Sequence, residues 1–331
     1  MTIARSHQIN INATPYYHCV ARCIRHQYLC GKDNQTKKDY SHRKEWIVNR
    51  LKYLANVFAI EICAYAVMSN HYHLVLFVEE DAATQWSDEL VISKWSAIYP
   101  KDAKNNQHNK AKIALWRERL TSISWFMRCL NYPIAKAAND EEKCSGKFWD
   151  GRFKSQALLD EGALLSAMVY VDLNPIRAGI NQTPEESEFT SIYDRIKLVK
   201  MQLKQKSFAR LKKSNVKPDN IDNLKQPNSL VPFMFNSKSD QHSIPFKLSD
   251  YLDLVDYSGR IIRNDKRGAI SNNLIPILQR LQLSDISWSL LISQFESNFF
   301  HAAGSEAYLI RFGAKRQRSV KGIEASRKIY I

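Results

Sequence analysis

Three clusters in this sequence carry side chains that could hold a cation, act as a nucleophile or grip a phosphate. His71-Tyr72-His73 opens an apolar run, LVLFV. Residues at i and i+2 of a strand share a face, so both imidazoles can converge on one ion. Two hydrogen-bonded histidines at a strand start are the plain alternative. Tyr170 and Asn174 stand four residues apart in YVDLNPIRAGI. On a helix they share a face, so a phenol and an amide can address one point; an Asn closing a helix before Pro175 is the alternative. In WDGRFKS, residues 149–155, strand alternation would set Arg152 and Lys154 on one face and Phe153 on the other, a basic edge suited to phosphates or a merely solvated face.

The elements that must position these clusters follow from periodicity. Residues 15–24 read as a strand, and Trp46, Ile47, Leu51, Leu54 and Ala55 repeat at helical spacing. Two apolar runs, 58–68 and 72–78, flank Ser69-Asn70, a hairpin signal. Residues 81–118 read as polar and irregular, with a weak helix around ELVISKWSAIY and a loop over PKDAKNNQHNKAK. A helix runs from Leu120 to about Ala138, and Pro133 should kink it. Residues 147–159 read as a strand. Asp160 is an N-cap candidate for a helix that Pro175 should end or bend near Asn174. The order βαββαβ plus a further helix predicts an α+β fold: a ferredoxin-like antiparallel sheet with helices on one face and a following helix that carries Tyr170. The expected organisation is a domain over 1–185, a basic arm and linker over 186–245, and a small, mostly helical region with a basic tail over 246–331.

Composition narrows the class. Of 331 residues, 48 are Lys or Arg and 33 Asp or Glu, a formal charge of +15, while 44% are hydrophobic. That apolar content is too high for a disordered polycation, so the chain folds. Its charge favours a polyanionic partner, nucleic acid first. From Arg195 to Pro218 nine basic residues occur with no acidic one. No apolar stretch approaches the ~18 residues needed to span a bilayer, and the N-terminus lacks a secretory apolar segment; a cytoplasmic, nucleoid-associated location and no membrane partner are expected. Six cysteines without a CxxC pair read as reduced core thiols. A zinc hydrolase built on His71 and His73 lacks a third ligand at suitable spacing.

Taken in order after the strand YYHCVARCI, the motifs MSNHYHLVLFV (68–78), FWDGRFKSQ (148–156) and YVDLNPIRAGI (170–180) resemble those of the single-tyrosine HUH transposases, in particular the REP-associated tyrosine transposases. The resemblance covers residues 14–182. It implies that His71, His73 and Asn174 bind a divalent cation, Mg²⁺ or Mn²⁺. It also implies that Tyr170 attacks single-stranded or hairpin DNA to leave a 5′-phosphotyrosine and a free 3′-OH. Arg152, Lys154 and Arg177 would then contact the strand, and Phe148, Trp149 or Trp125 would stack on unpaired bases. Whether the enzyme acts as a homodimer stays open. The competing expectation is a catalytically silent nucleic-acid-binding module or regulator on the same fold.

Overall fold

A computed structural model describes residues 9–24, 30–32, 37–210, 221–234, 242–262, 283–316 and 320–330. The architecture is α+β. Five strands, β1 (Tyr16–Arg22), β2 (Ile60–Val67), β3 (His71–Val78), β4 (Lys154–Leu158) and β5 (Ala302–Ala303), hydrogen-bond in the order β2-β3-β1-β4-β5. The sheet is mixed where an all-antiparallel one was expected, because β5 runs parallel to β4, pairing Ala302 with Ala157 and Ala303 with Leu158. The chain divides into two compact units, one of residues 1–62 and 67–155, the other of 63–66 and 156–331.

In the first unit β1 and β3 are antiparallel, with Val20 opposite His73 and His18 opposite Val75. Helix α1 (Arg43–Ala55) buries Ile47, Val48, Leu51 and Leu54, one apolar face at helical spacing. Three short helices, α2 (Glu80–Gln85), α3 (Asp88–Ser96) and α4 (Pro100–Asn106), lead to α5 (Lys110–Leu120) and then α6 (Ile123–Glu141). The latter buries Ile123, Phe126, Met127, Leu130, Ile134 and Ala138 and continues through Pro133. Buried Arg43, at the start of α1, pairs with Glu141 at 2.7 Å and Glu142 at 2.8 Å, tying that end to the end of α6.

The expected loop over 100–112 is helical. Its anchor is Asp102, which accepts from the indole nitrogens of Trp95 at 2.8 Å and Trp116 at 3.2 Å and from the Asn106 side chain at 3.0 Å. Trp95 and Trp116 stack with centroids 5.8 Å apart, both almost fully buried. Few apolar residues separate these turns, so the polar sequence conceals a core made of two indoles and one carboxylate.

The second unit centres on α7 (Glu161–Asp172), which Asp160 caps by accepting from Ala163 N at 2.8 Å. From Gly162 to Asp172 every residue is buried. A short helix, α8 (Asn174–Arg177), follows across Pro175, the break expected there. Then come α9 (Ser191–Arg210), α10 (Leu248–Ile262), α11 (Asp285–Ser293), α12 (Phe295–Asn298), α13 (Glu306–Arg316) and α14 (Ile323–Ile329). Asp172 accepts from Tyr251 Oη at 2.5 Å, from Ile192 N at 3.0 Å and from the Ser191 hydroxyl. Arg195, the first residue of the basic run, is fully buried and donates to the carbonyls of Cys63 at 3.1 Å and Val231 at 3.0 Å. It therefore faces the interior. The later part of that run, 211–220, lies outside the described residues, as does 235–241 of the expected linker.

Replacing Asp102 by Ala leaves two buried indole N–H groups without their acceptor. Each orphaned donor costs about 1–3 kcal/mol. The variant should lose about 2–4 kcal/mol in urea unfolding on this basis; an unchanged midpoint would show that the indoles do not depend on this carboxylate.

Candidate functional site

Strand β3 sorts His71-Tyr72-His73 by alternation. Tyr72 points to the face occupied by α6, where it is buried, its hydroxyl donates to Asn131 Oδ1 and its ring meets Trp149 edge-on at 5.7 Å. The two histidines take the opposite face. His73 is 1% exposed and His71 half-buried. Their rings lie T-shaped with centroids 4.8 Å apart. His71 Nδ1 stands 2.5 Å from Asn70 Oδ1. A carbonyl oxygen only accepts, so Nδ1 carries the hydrogen and the lone pair of the neutral ring sits on Nε2.

A third imidazole joins this face. His18 of β1 lies diagonally from His73 across the register and stacks on it, rings 5.2 Å apart and 8° from parallel. His18 Nε2 and His73 Nδ1 stand 3.0 Å apart, a separation at which one nitrogen must donate to the other. Imidazole nitrogens are metal ligands when neutral, and each of these two offers one ligand atom. The histidine pair read from sequence is thus part of a trio. Its third member was visible only as one residue of the strand YYHCVAR, because the β1–β3 register is needed to bring it beside His73.

In the second unit, Tyr170, Asn174 and Arg177 stand at i, i+4 and i+7 on one face of α7 and α8. Tyr170 is 6% exposed. Its hydroxyl hydrogen-bonds with the Asn174 side chain and the Glu296 carboxylate. The Arg177 guanidinium sits 4.5 Å from the ring centroid and Phe295 packs at 5.5 Å. Burial, reinforced by the Glu296 charge, pushes the phenol pKa above its ordinary value; the positive charge of Arg177 and the Asn174 hydrogen bond oppose this but do not reverse it. The proton is therefore held tightly, and Glu296 is the carboxylate placed to receive it. Sequence reading missed Glu296, which is 126 positions from Tyr170 and belongs to no motif.

The residues expected to contact a strand divide. Phe148 is 4% exposed, inside the core of the first unit, and Trp149 is half-buried, its indole nitrogen donating to Asn131 O at 3.0 Å. The chain here makes only an isolated bridge, Cys23 with Trp149, and β4 starts at Lys154. The expected strand over 147–159 is therefore shorter. Arg152 lies in a bend before it, so Arg152 and Lys154 do not alternate on a strand, although both are exposed. Arg177 donates to the carbonyls of Ile292 and, at 3.0 Å, Ser293, the last two residues of α11. A helix C-terminus leaves such carbonyls unpaired and favours a cation.

No protein-family model matches the chain, and no curated protein does. Among solved structures, that of a REP-associated tyrosine transposase bound to a REP hairpin matches at 10% identity, covering 71% of this chain and 99% of that one, with a TM-score of 0.36. A superposition that loose carries neither fold nor activity from one protein to the other. Among the described residues, no helix is long and apolar enough to cross a membrane.

Arg177→Lys keeps the charge but loses the planar fork that reaches two carbonyls. Thermal and urea unfolding should show a loss of about 1–2 kcal/mol; full stability in this variant would mean that the carbonyl contacts hold nothing in place.

Proposed function

We propose that this chain is a metal-dependent single-stranded DNA endonuclease and strand transferase of the transposase type, with Tyr170 as nucleophile. The observation that carries the reading is the surroundings of the Tyr170 hydroxyl: an acceptor carboxylate in Glu296, the Asn174 amide, and a guanidinium across the ring.

In this reading the phenol oxygen attacks the scissile phosphorus while its proton passes to Glu296. The bond from phosphorus to the 3′ oxygen breaks and that oxygen takes up a proton from water, giving a 5′-phosphotyrosine and a free 3′-OH. The ester conserves the phosphodiester linkage, so attack by another 3′-OH reverses the step and joins strands without a nucleotide cofactor. A phenol with a raised pKa is a weak nucleophile, which makes a base in hydrogen-bond reach a requirement. Arg177, across the ring, favours the developing phenolate.

His71, His73 and Asn174 are the residues proposed to hold a divalent cation, with His18 beside His73. A bound cation would polarise the scissile phosphate and neutralise the charge that builds there. Facing imidazole nitrogens and one amide fit Mn²⁺ better than Mg²⁺, which prefers carboxylate and water oxygens. Arg152 and Lys154, both exposed, are proposed as backbone contacts.

The burial of Tyr170 favours a second reading, a binding module that keeps the fold without the chemistry. One experiment separates the two. Wild type and Tyr170→Phe are incubated with labelled single-stranded hairpin DNA from the gene's flanks, with Mn²⁺ or EDTA, and run on a denaturing gel. The nicking reading expects an SDS-resistant adduct with wild type and Mn²⁺ only. An adduct that persists in Tyr170→Phe would remove Tyr170 as nucleophile, and binding without any adduct would support the second reading.

Metal binding has its own readout. Mn²⁺ at about 100 times its Kd should stabilise the folded chain by about 2.7 kcal/mol, EDTA should reverse the shift in melting temperature, and His71→Ala should largely abolish it. An equal shift in His71→Ala would place the ion elsewhere.

A further inference from the structure

Helix α6 buries one face and leaves another outward, and the outward face has an unusual composition. Trp125, Arg128, Tyr132 and Lys136 follow at i, i+3, i+7 and i+11, a single stripe along the helix. Tyr132 is 68% exposed, Arg128 and Lys136 are exposed, and Trp125 is half-buried. Two guanidiniums rest on the Trp125 ring, Arg119 at 4.3 Å and Arg128 at 5.0 Å from its centroid. Beside the stripe, Arg50 lies 5.1 Å from the ring of Tyr53, itself 41% exposed, and reaches Cys129 O on α6 at 3.1 Å.

An ordinary solvated helix face alternates acidic and basic residues at i,i+4. This one has no acidic residue from Ser122 to Asn139. Among the described residues no ion pair to a carboxylate involves Arg119, Arg128 or Lys136. The cations thus keep their charge for an outside partner. Aromatic faces interleaved with cations are what single-stranded nucleic acid requires: bases stack on the rings while the basic groups follow the phosphates. A duplex hides its base faces and gives the aromatics nothing to stack on. Eleven residues at 1.5 Å rise make the stripe about 16 Å long, the span of about four or five bases stacked at about 3.4 Å.

We propose that this face of α6, with Arg119 and Tyr53 at its margin, is a binding surface for an unpaired DNA strand, built from none of the residues assigned to the chemistry. The inference rests on the functional reading above in taking DNA as the polyanion. Its chemistry is stacking plus phosphate contact, so it binds without base sequence preference.

The test uses the full chain in the Tyr170→Phe background, which prevents covalent capture, and a labelled dT15 oligonucleotide, which forms no hairpin. Anisotropy titrations compare this protein with versions also carrying Tyr132→Ala, Arg128→Ala, or both. The proposal expects each to weaken dT15 binding about tenfold at unchanged melting temperature. Arg128→Ala should reduce the slope of log K against log salt by about 0.7, and a 15-bp duplex should compete poorly. Unchanged affinity and slope in the double variant would overturn it. So would loss of a self-association seen by sedimentation with dT15 binding intact, which would assign the stripe to a second copy of the chain. The outcome is independent of the nicking reading: dT15 binding lost in the stripe variants upholds this surface even if wild type forms no adduct.

Discussion

The pleat of β3 is the constraint on which the first unit depends. Successive side chains on a strand face opposite ways, so the strand cannot present His71 and His73 to one side without sending Tyr72 to the other. There Tyr72 is buried, bonded to Asn131 and packed on Trp149. A slip of one residue would put a phenol among the imidazoles and two imidazoles into an apolar core, a change every neighbouring strand residue would oppose. The same register puts His18 diagonal to His73, so one pairing between β1 and β3 sets the positions of three rings. Asn131 also fixes Trp149 through its backbone carbonyl, which is why the FWDG segment packs inward and offers neither of its rings fully to solvent.

Helix α7 solves a comparable problem by a different period. Tyr170 and Asp172 are two residues apart, about 200° around the helix axis at 3.6 residues per turn. One side carries Tyr170 toward Asn174, Glu296 and Arg177; the other carries Asp172 into Ser191, Ile192 and Tyr251. Burial pushes the Asp172 carboxyl up to about 6 despite its three donors, and the buried Arg195 guanidinium counters that rise. A buried carboxylate with three donors and a nearby buried cation is costly to move. It therefore locks the rotation of the helix and, with it, the direction in which Tyr170 points.

How much of this is legible in the sequence depends on whether the signal is local. Strands β1 to β3, the hairpin at Ser69-Asn70, the cap at Asp160 and the break at Pro175 are written in alternation, capping and proline chemistry within a few residues. Of the helices over 80–120 only the one around ELVISKWSAIY shows in the sequence; the turns over 100–112 do not, because their core consists of Trp95 and Trp116 around Asp102, and an apolar-periodicity reading counts the aspartate as a loop residue. β5 has two residues and no period at all. His18 and Glu296 are chemical partners only after strand pairing or chain folding, so neither spacing nor motif could have identified them. Phe148 and Trp149 looked like surface rings because their sequence neighbours are charged; the bridge of Trp149 to Cys23 turns them inward.

The charge excess calls for the same distinction. Of the arginines that raise the total to +15, Arg43 neutralises two carboxylates, Arg195 is sealed among backbone carbonyls, and Arg177 closes the end of α11. Each is tied into the fold by its ion pairs or backbone carbonyls, and none adds much to the field a polyanion would meet. Net charge alone therefore overstates the case for a nucleic-acid partner. The case stands instead on where cations reach solvent without a carboxylate beside them, and on whether rings accompany them. Arg119 and Arg128 on the Trp125 face, with Tyr132 one turn further along α6, meet both conditions. Tyr132, two-thirds exposed on a helix otherwise well packed, contributes little to folding, and in the proposed strand-binding face its ring is the one left open to an unpaired base.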